Sequence, residues 1–149
     1  MSSLLRVSEA ASLALHTTVF LAGNPGQTVP AREIAATLDV SEAHLAKVLQ
    51  RLAKVGLVRS FRGPKGGFVL GRNEDEITLL EVYESIEGPL EASSCLFDVQ
   101  ACNGNGCILG DLLETVHRQV TKYLSETKLS AQTHIRWEVG SDVETSSQN

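Results

Sequence analysis

Along the first half of the chain, apolar positions repeat at helical spacing in separate stretches, each closed by residues that stop helices. From about Val7 to Leu21 nearly every position is apolar or small, the pattern of a largely buried helix, and Gly23-Asn24-Pro25-Gly26 ends it. Pro30 suits a first helical position, and Ile34, Ala35 and Leu38 form a short stripe behind it, predicting a second, short helix. Asp39-Val40 turns the chain. Ser41 is a good N-cap, and Leu45, Val48, Leu49, Leu52 and Val55 recur at helical spacing as far as Gly56. Two helices joined by a tight turn result.

The period then changes. Leu57-Val58-Arg59-Ser60-Phe61 alternates weakly, Arg62-Gly63-Pro64-Lys65-Gly66-Gly67 reads as a turn, and Phe68-Val69-Leu70 returns as a second strand. A fourth helix has a clear start: Thr78 as N-cap, Glu81 completing a capping box, and Ile77 with Val82 as a hydrophobic staple. Gly88-Pro89 ends it. The Ser-, Asn- and Gly-rich stretch that follows holds every cysteine. A long helix is then predicted from about Ile108 to Thr127, with Leu109, Leu112, Leu113, Val116, Val120, Tyr123 and Leu124 on one face. A small core cannot cover a face of that length.

The pattern predicts a mainly α fold with a small β-hairpin wing: a winged helix-turn-helix plus a long C-terminal dimerisation helix. Its parts are a DNA-binding domain over 1–88, a cysteine-rich loop over 89–107, the dimerisation helix and C-terminal segment over 108–139, and a polar, disordered tail over 140–149. At 149 residues there is room for one compact domain with an oligomerisation element, and large multi-domain enzymes are excluded. The 42% hydrophobic and 21% charged content is that of a folding globular chain.

A net charge of -5 argues at first against nucleic acid, whose phosphates attract positive charge. The average hides an asymmetry. Between Ser41 and Arg72 lie Lys47, Arg51, Lys54, Arg59, Arg62, Lys65 and Arg72, against Glu42 as the lone acid. His44, Lys47, Arg51 and Lys54 fall within roughly 80° on the outer side of the third helix. Alone, such a stripe is equally well a solvated helix face. Followed by a basic hairpin tip, it matches the order a winged helix requires. Ser41, His44 and Lys47 are then placed for the major groove, and Arg51, Lys54 and Arg59 for the phosphate backbone. The tip, with Arg62, Gly63, Lys65, Gly66 and Gly67, suits the minor groove.

Cys95, Cys102 and Cys107 are too few and too close for a disulfide framework, which points to a reducing, cytoplasmic setting. Leu13 to Ala22 is apolar enough for a signal peptide, but Glu9 and the single Arg6 before it fit that badly. No run reaches the roughly 18 apolar residues of a membrane span. The spacing Cys95-x6-Cys102-x4-Cys107 on an adaptable loop lets three thiolates wrap one face of an iron-sulfur cluster. Structural zinc sites favour closer Cys pairs. Unligated thiols and a thiol-redox switch stay open. Catalysis is not expected: there is no phosphate-binding Gly loop, no Ser-His-Asp order, and no histidine near the cysteines in sequence. An iron-sulfur carrier would need neither the wing nor the basic stripe.

The stretch Leu52-Ala53-Lys54-Val55-Gly56-Leu57-Val58, followed by Arg62-Gly63-Pro64-Lys65-Gly66-Gly67-Phe68-Val69-Leu70, resembles the recognition-helix end and wing of the IscR/NsrR family of bacterial transcription regulators. The resemblance extends to the first helix, the Ile77-Thr78-Leu79-Leu80-Glu81-Val82 helix start, the three-cysteine loop and the long last helix. It implies a homodimer on promoter DNA, acting as a repressor under control of a 2Fe-2S or 4Fe-4S cluster. The signal would be redox state, nitric oxide or iron-sulfur status. It also implies a fourth ligand, and here the chain departs from the best-known branches. The biogenesis-regulator branch has a histidine where Gly110 stands, and the nitric-oxide-sensing branch an aspartate where Ser12 stands. His16, one turn after Ser12, resembles a histidine of a redox-sensing branch and is the expected ligand, supplied by the partner subunit. Glu9, Asp111 and His117 are lesser candidates, and a histidine merely bonded within the helix packing is the plain alternative for His16.

Overall fold

The computed structural model describes residues 5–92, 95–97, 99, 101–104 and 106–137. Helix α1 spans Glu9–Ala22 and starts two residues later than its apolar run, because the Ser8 hydroxyl accepts from the Ala11 N–H and fixes the cap there. Ala11, Ala14, Thr17 and Thr18 are fully buried, so α1 is the central pillar of the core, packed chiefly on α4. The Thr18 hydroxyl is satisfied by the Ala14 and Leu15 carbonyls. Among the described residues, the Thr17 hydroxyl has no partner.

Helix α2 spans Ala31–Leu38, with Pro30 at the cap rather than at the first helical position. Asp39 adopts a left-handed conformation (φ 53°), and the N–H of Val40 closes onto the Ala35 carbonyl at 3.0 Å. That tight exit sends the chain directly into α3, Glu42–Lys54, capped by the Ser41 hydroxyl on the His44 N–H at 3.1 Å. Leu45, Val48, Leu49 and Leu52 are buried along one side of α3, as their spacing requires, whereas Val55, the last of the predicted stripe, is 54% exposed because the helix has ended and it stands at the C-cap.

Strands β1 (Val58–Phe61) and β2 (Gly67–Leu70) form an antiparallel hairpin in which Val58 faces Leu70 and Phe61 faces Gly67. The hairpin is also pinned at its far edge. Phe68 exchanges two backbone bonds with Val29, at 2.8 and 3.0 Å, just ahead of α2. The wing is therefore fixed to the helix-turn-helix on both sides.

Helix α4 spans Leu79–Glu87 with the full capping box: the Glu81 N–H donates to the Thr78 hydroxyl, and the Thr78 N–H to the Glu81 carboxylate. Ile77 and Val82, the staple pair, are both fully buried. Helix α5 runs Leu112–Glu126, shorter at its start than the predicted 108–127. Gly110 takes a left-handed backbone (φ 61°) and its N–H closes a turn onto the Cys107 carbonyl, so the helix begins only after Asp111. A 3₁₀ turn, Leu129–Gln132, then brings the chain back, with Leu129 bonded to the Ile77 carbonyl and fully buried. The tail expected over 140–149 lies outside the described residues.

Candidate nucleic-acid interface and cysteine loop

The basic residues of the helix-turn-helix and wing are carried by α3 and the hairpin that follows it. Lys47, Arg51, Lys54, Arg59, Arg62 and Lys65 are all exposed. The Arg59 guanidinium lies over the Phe61 ring, 5.6 Å from its centroid, because alternate residues of β1 share a face. Gly66 donates to the Gly63 carbonyl at 2.9 Å to close the wing tip. A side chain at Gly66 would meet the Phe61 carbonyl, and one at Gly67 the Val29 carbonyl. Both glycines thus serve close backbone packing, leaving Arg62, Gly63 and Lys65 as the projecting tip.

Besides Ser41, whose hydroxyl caps α3, two residues expected at DNA have neighbours within the protein. His44 is partly covered in a cavity of about 180 Å³ between α1 and α3, shared with Glu9, Ser12 and His16, and its Nδ1 is 3.9 Å from the Glu9 carboxylate. Arg51 uses Nη2 to donate to the Ile86 carbonyl at 2.6 Å. Sequence spacing places both on the outer face of α3 but carries no information about what α1 and α4 present to that face.

The three cysteines, all thiols, line one cavity of about 250 Å³ with apolar walls from Leu96, Phe97 and Ile108. Cys95 is half-buried; Cys102 and Cys107 are exposed. Three soft sulfur donors around one hollow are the donor set an iron-sulfur cluster takes, so the chemistry of the residues fits such a group. Their geometry is not yet that of a ligand set: among the described residues, no three His, Cys, Asp or Glu side chains converge as a metal site.

His16 is exposed on α1 and does not line the cysteine cavity of its own chain. Its Nδ1 lies 2.7 Å from the Ser12 carbonyl, which can only accept, so Nδ1 carries the proton and a neutral ring keeps its lone pair on Nε2. Trp137 covers the ring edge-on at 5.9 Å and makes the same contact with Phe20. This cover was not foreseen in the sequence, where its one signal is a lone tryptophan in a polar segment. Of the lesser candidates, Asp111 is exposed ahead of α5, and His117 Nε2 sits 3.5 Å from the Thr121 hydroxyl.

Two helices in a tight turn, a pinned hairpin with a basic tip, and a basic outer face define a winged-helix, DNA-binding transcription regulator. The chain belongs to the Rrf2 family, described as iron-dependent transcriptional regulators, which it matches over residues 7–133. It is 32% identical over 101 residues to the HTH-type transcriptional regulator IscR of Photorhabdus laumondii, covering 68% of this chain and 62% of that protein. It is 31% identical over 114 residues to the regulator NsrR of Bacillus subtilis, covering 76% of this chain and 75% of that one. Among solved structures it is similar to CymR, the global cysteine regulator of B. subtilis. The TM-score is 0.74 at 28% identity, covering 89% of this chain and 99% of the other. The resemblance read from the wing and helix starts is thus confirmed, and these relatives are regulators, not enzymes.

Proposed function

We propose that the chain is a cytoplasmic homodimeric repressor whose promoter binding is controlled by an iron-sulfur cluster. Cys95, Cys102 and Cys107 hold the cluster, with His16 of the partner subunit as fourth ligand. One observation carries this reading: three thiols from separate points of one loop line a single apolar-walled hollow in a winged-helix chain. The cluster would supply a redox- and nitric-oxide-sensitive centre. The protein's own part is to offer three thiolates in a hollow lined by Leu96, Phe97 and Ile108, and to present Nε2 of His16 as the ring's open nitrogen, Nδ1 being directed at the Ser12 carbonyl.

Dimerisation is supported by α5. Leu113 is its one buried residue among those described, while Leu112 is 43% and Tyr123 59% exposed on the same apolar face as half-buried Val116, Val120 and Leu124. A second copy would cover that face. The basic face of α3 and the wing tip Arg62, Gly63 and Lys65 would meet the operator.

Protein purified without oxygen should be brown, with visible absorption that Cys102→Ala removes; colourless protein with stoichiometric zinc would overturn the cluster. A second reading is a cluster-free thiol switch. It draws support from the exposure of Cys102 and Cys107, from the lack of convergence among the described donors, and from the likeness to a cysteine regulator. A brown preparation also decides against it.

A further inference from the structure

The C-terminal half of α4 is tied to two other parts of the protein. Arg51 of α3 donates to the Ile86 carbonyl at 2.6 Å. The Glu87 carboxylate accepts from the Ser8 N–H at 3.2 Å, and the Tyr83 hydroxyl donates to the Arg6 carbonyl at 2.6 Å. The chain then leaves the helix at Gly88, packs Leu90 against the core and continues into the cysteine loop. The C-terminal half of α4 thus joins the recognition helix, the start of α1 and the root of the loop.

The bond from Arg51 has a physical reason of its own. Ile86 is among the last residues of α4, whose carbonyls lack partners within the helix, and a cation there is favoured by the helix dipole. Being charge-assisted, it is stronger than a neutral bond between the same elements. Arg51 is exposed as a residue, but this bond fixes one end of its guanidinium on the end of α4.

We infer that Arg51 is a positioning residue: it couples the root of the cysteine loop to the recognition helix and is not a DNA phosphate contact. The inference rests on the reading of this chain as a DNA-binding regulator controlled by its cysteine loop. A change at the loop that shifts the end of α4 pulls on α3 through Arg51, and DNA seated on α3 restrains the loop in return, since such coupling is reciprocal.

The test uses full-length, reduced, metal-free protein and two readouts: site-resolved iodoacetamide alkylation of Cys95, and the salt dependence of binding to non-specific duplex DNA. Arg51→Lys keeps the charge but loses the planar fork. It should speed Cys95 alkylation about tenfold or more, the scale of one lost charged hydrogen bond, with the salt slope unchanged. Lys54→Gln should do the reverse, lowering the slope by about 0.9 with wild-type alkylation. Tyr83→Phe removes another bond of the C-terminal half of α4 and should also speed Cys95, which keeps the test open if Arg51→Lys does not fold. Gly63→Ala at the distant wing tip controls for general destabilisation and should leave Cys95 unchanged. Wild-type alkylation in Arg51→Lys and Tyr83→Phe, or equal acceleration in Gly63→Ala, overturns the inference. So does an Arg51→Gln variant that only lowers the salt slope. Failure of the wild type to bind DNA would instead refute the proposed function, and the alkylation rates would still be readable.

Discussion

Replacing Gly67 by alanine tests whether the wing is a docked part of the fold or a loose arm. A Cβ there would overlap the Val29 carbonyl and lie 2.7 Å from the Pro30 nitrogen, both backbone atoms that cannot rotate away. Relief requires the wing to part from the segment leading into α2, with loss of both bonds between Val29 and Phe68. Each such bond contributes about 1 kcal/mol net. The backbone at φ +158° adds strain of about 1–3 kcal/mol for a residue with a side chain. The sum is about 3–5 kcal/mol, a large share of the roughly 5–15 kcal/mol that holds a domain folded. At about 2–4 °C per kcal/mol for a chain of this size, the melting temperature should fall by about 6–20 °C. Gly63 is the control within the same motif: its φ is +107°, but nothing lies within 4 Å of an added Cβ. Gly63→Ala carries backbone strain alone, about 1–3 kcal/mol. Thermal melts followed by far-UV circular dichroism compare the two. If Gly67→Ala melts at or above Gly63→Ala, the docking of the wing on Val29 is wrong.

Other residues give independent tests. Thr17→Val removes a fully buried hydroxyl that has no partner among the described residues, and should raise stability by about 1 kcal/mol in urea unfolding; a loss of that size would mean the hydroxyl is satisfied. Burial pushes the Glu81 carboxyl up, but the Arg72 guanidinium at 2.7 Å and the Thr78 N–H outweigh it and hold it below the ordinary carboxylate range. A depressed folded pKa stabilises the protein above the unfolded value, and that contribution disappears as pH falls through the folded value. Glu81→Gln should therefore flatten the stability profile between about pH 5 and pH 3, modestly because the pair is exposed to solvent. An unaltered profile would remove Arg72 and Glu81 from the account. Val116→Glu in the middle of the α5 face should turn a dimer into a monomer in sedimentation velocity, and an unchanged dimer would move the interface elsewhere.

The elements that local chemistry dictates were legible in the chain. Ser41, Thr78 with Glu81, and the Leu45-Val48-Leu49-Leu52 stripe each act at their predicted positions, because caps and helical periodicity depend on neighbours a few residues away. The start of α5 was placed too early, since the apolar run continues through Ile108 and Leu109 while the turn at Gly110 interrupts the backbone. The candidate site was legible as residue types but not as partnerships. The basic residues of α3 were legible as residue types, but the bond from Arg51 to the Ile86 carbonyl and the approach of His44 to Glu9 are tertiary facts that no periodicity carries. The cysteines do share one hollow, as their crowding suggested. The Trp137 cover on His16 and the double bond between Val29 and Phe68 join segments far apart in sequence, where no local signal exists.

The central claim is that the cysteine loop controls the grip of the winged helix on DNA. The direct measurement is the affinity for a duplex from upstream of the protein's own gene, taken without oxygen at one fixed salt concentration. It compares protein reconstituted with iron and sulfide, the same protein stripped of metal, and Cys102→Ala. The first two should differ by about tenfold or more, in the range usual for coupled sites, and Cys102→Ala should bind alike under both treatments. Equal affinities for the reconstituted and stripped forms, or a full response in Cys102→Ala, would contradict it.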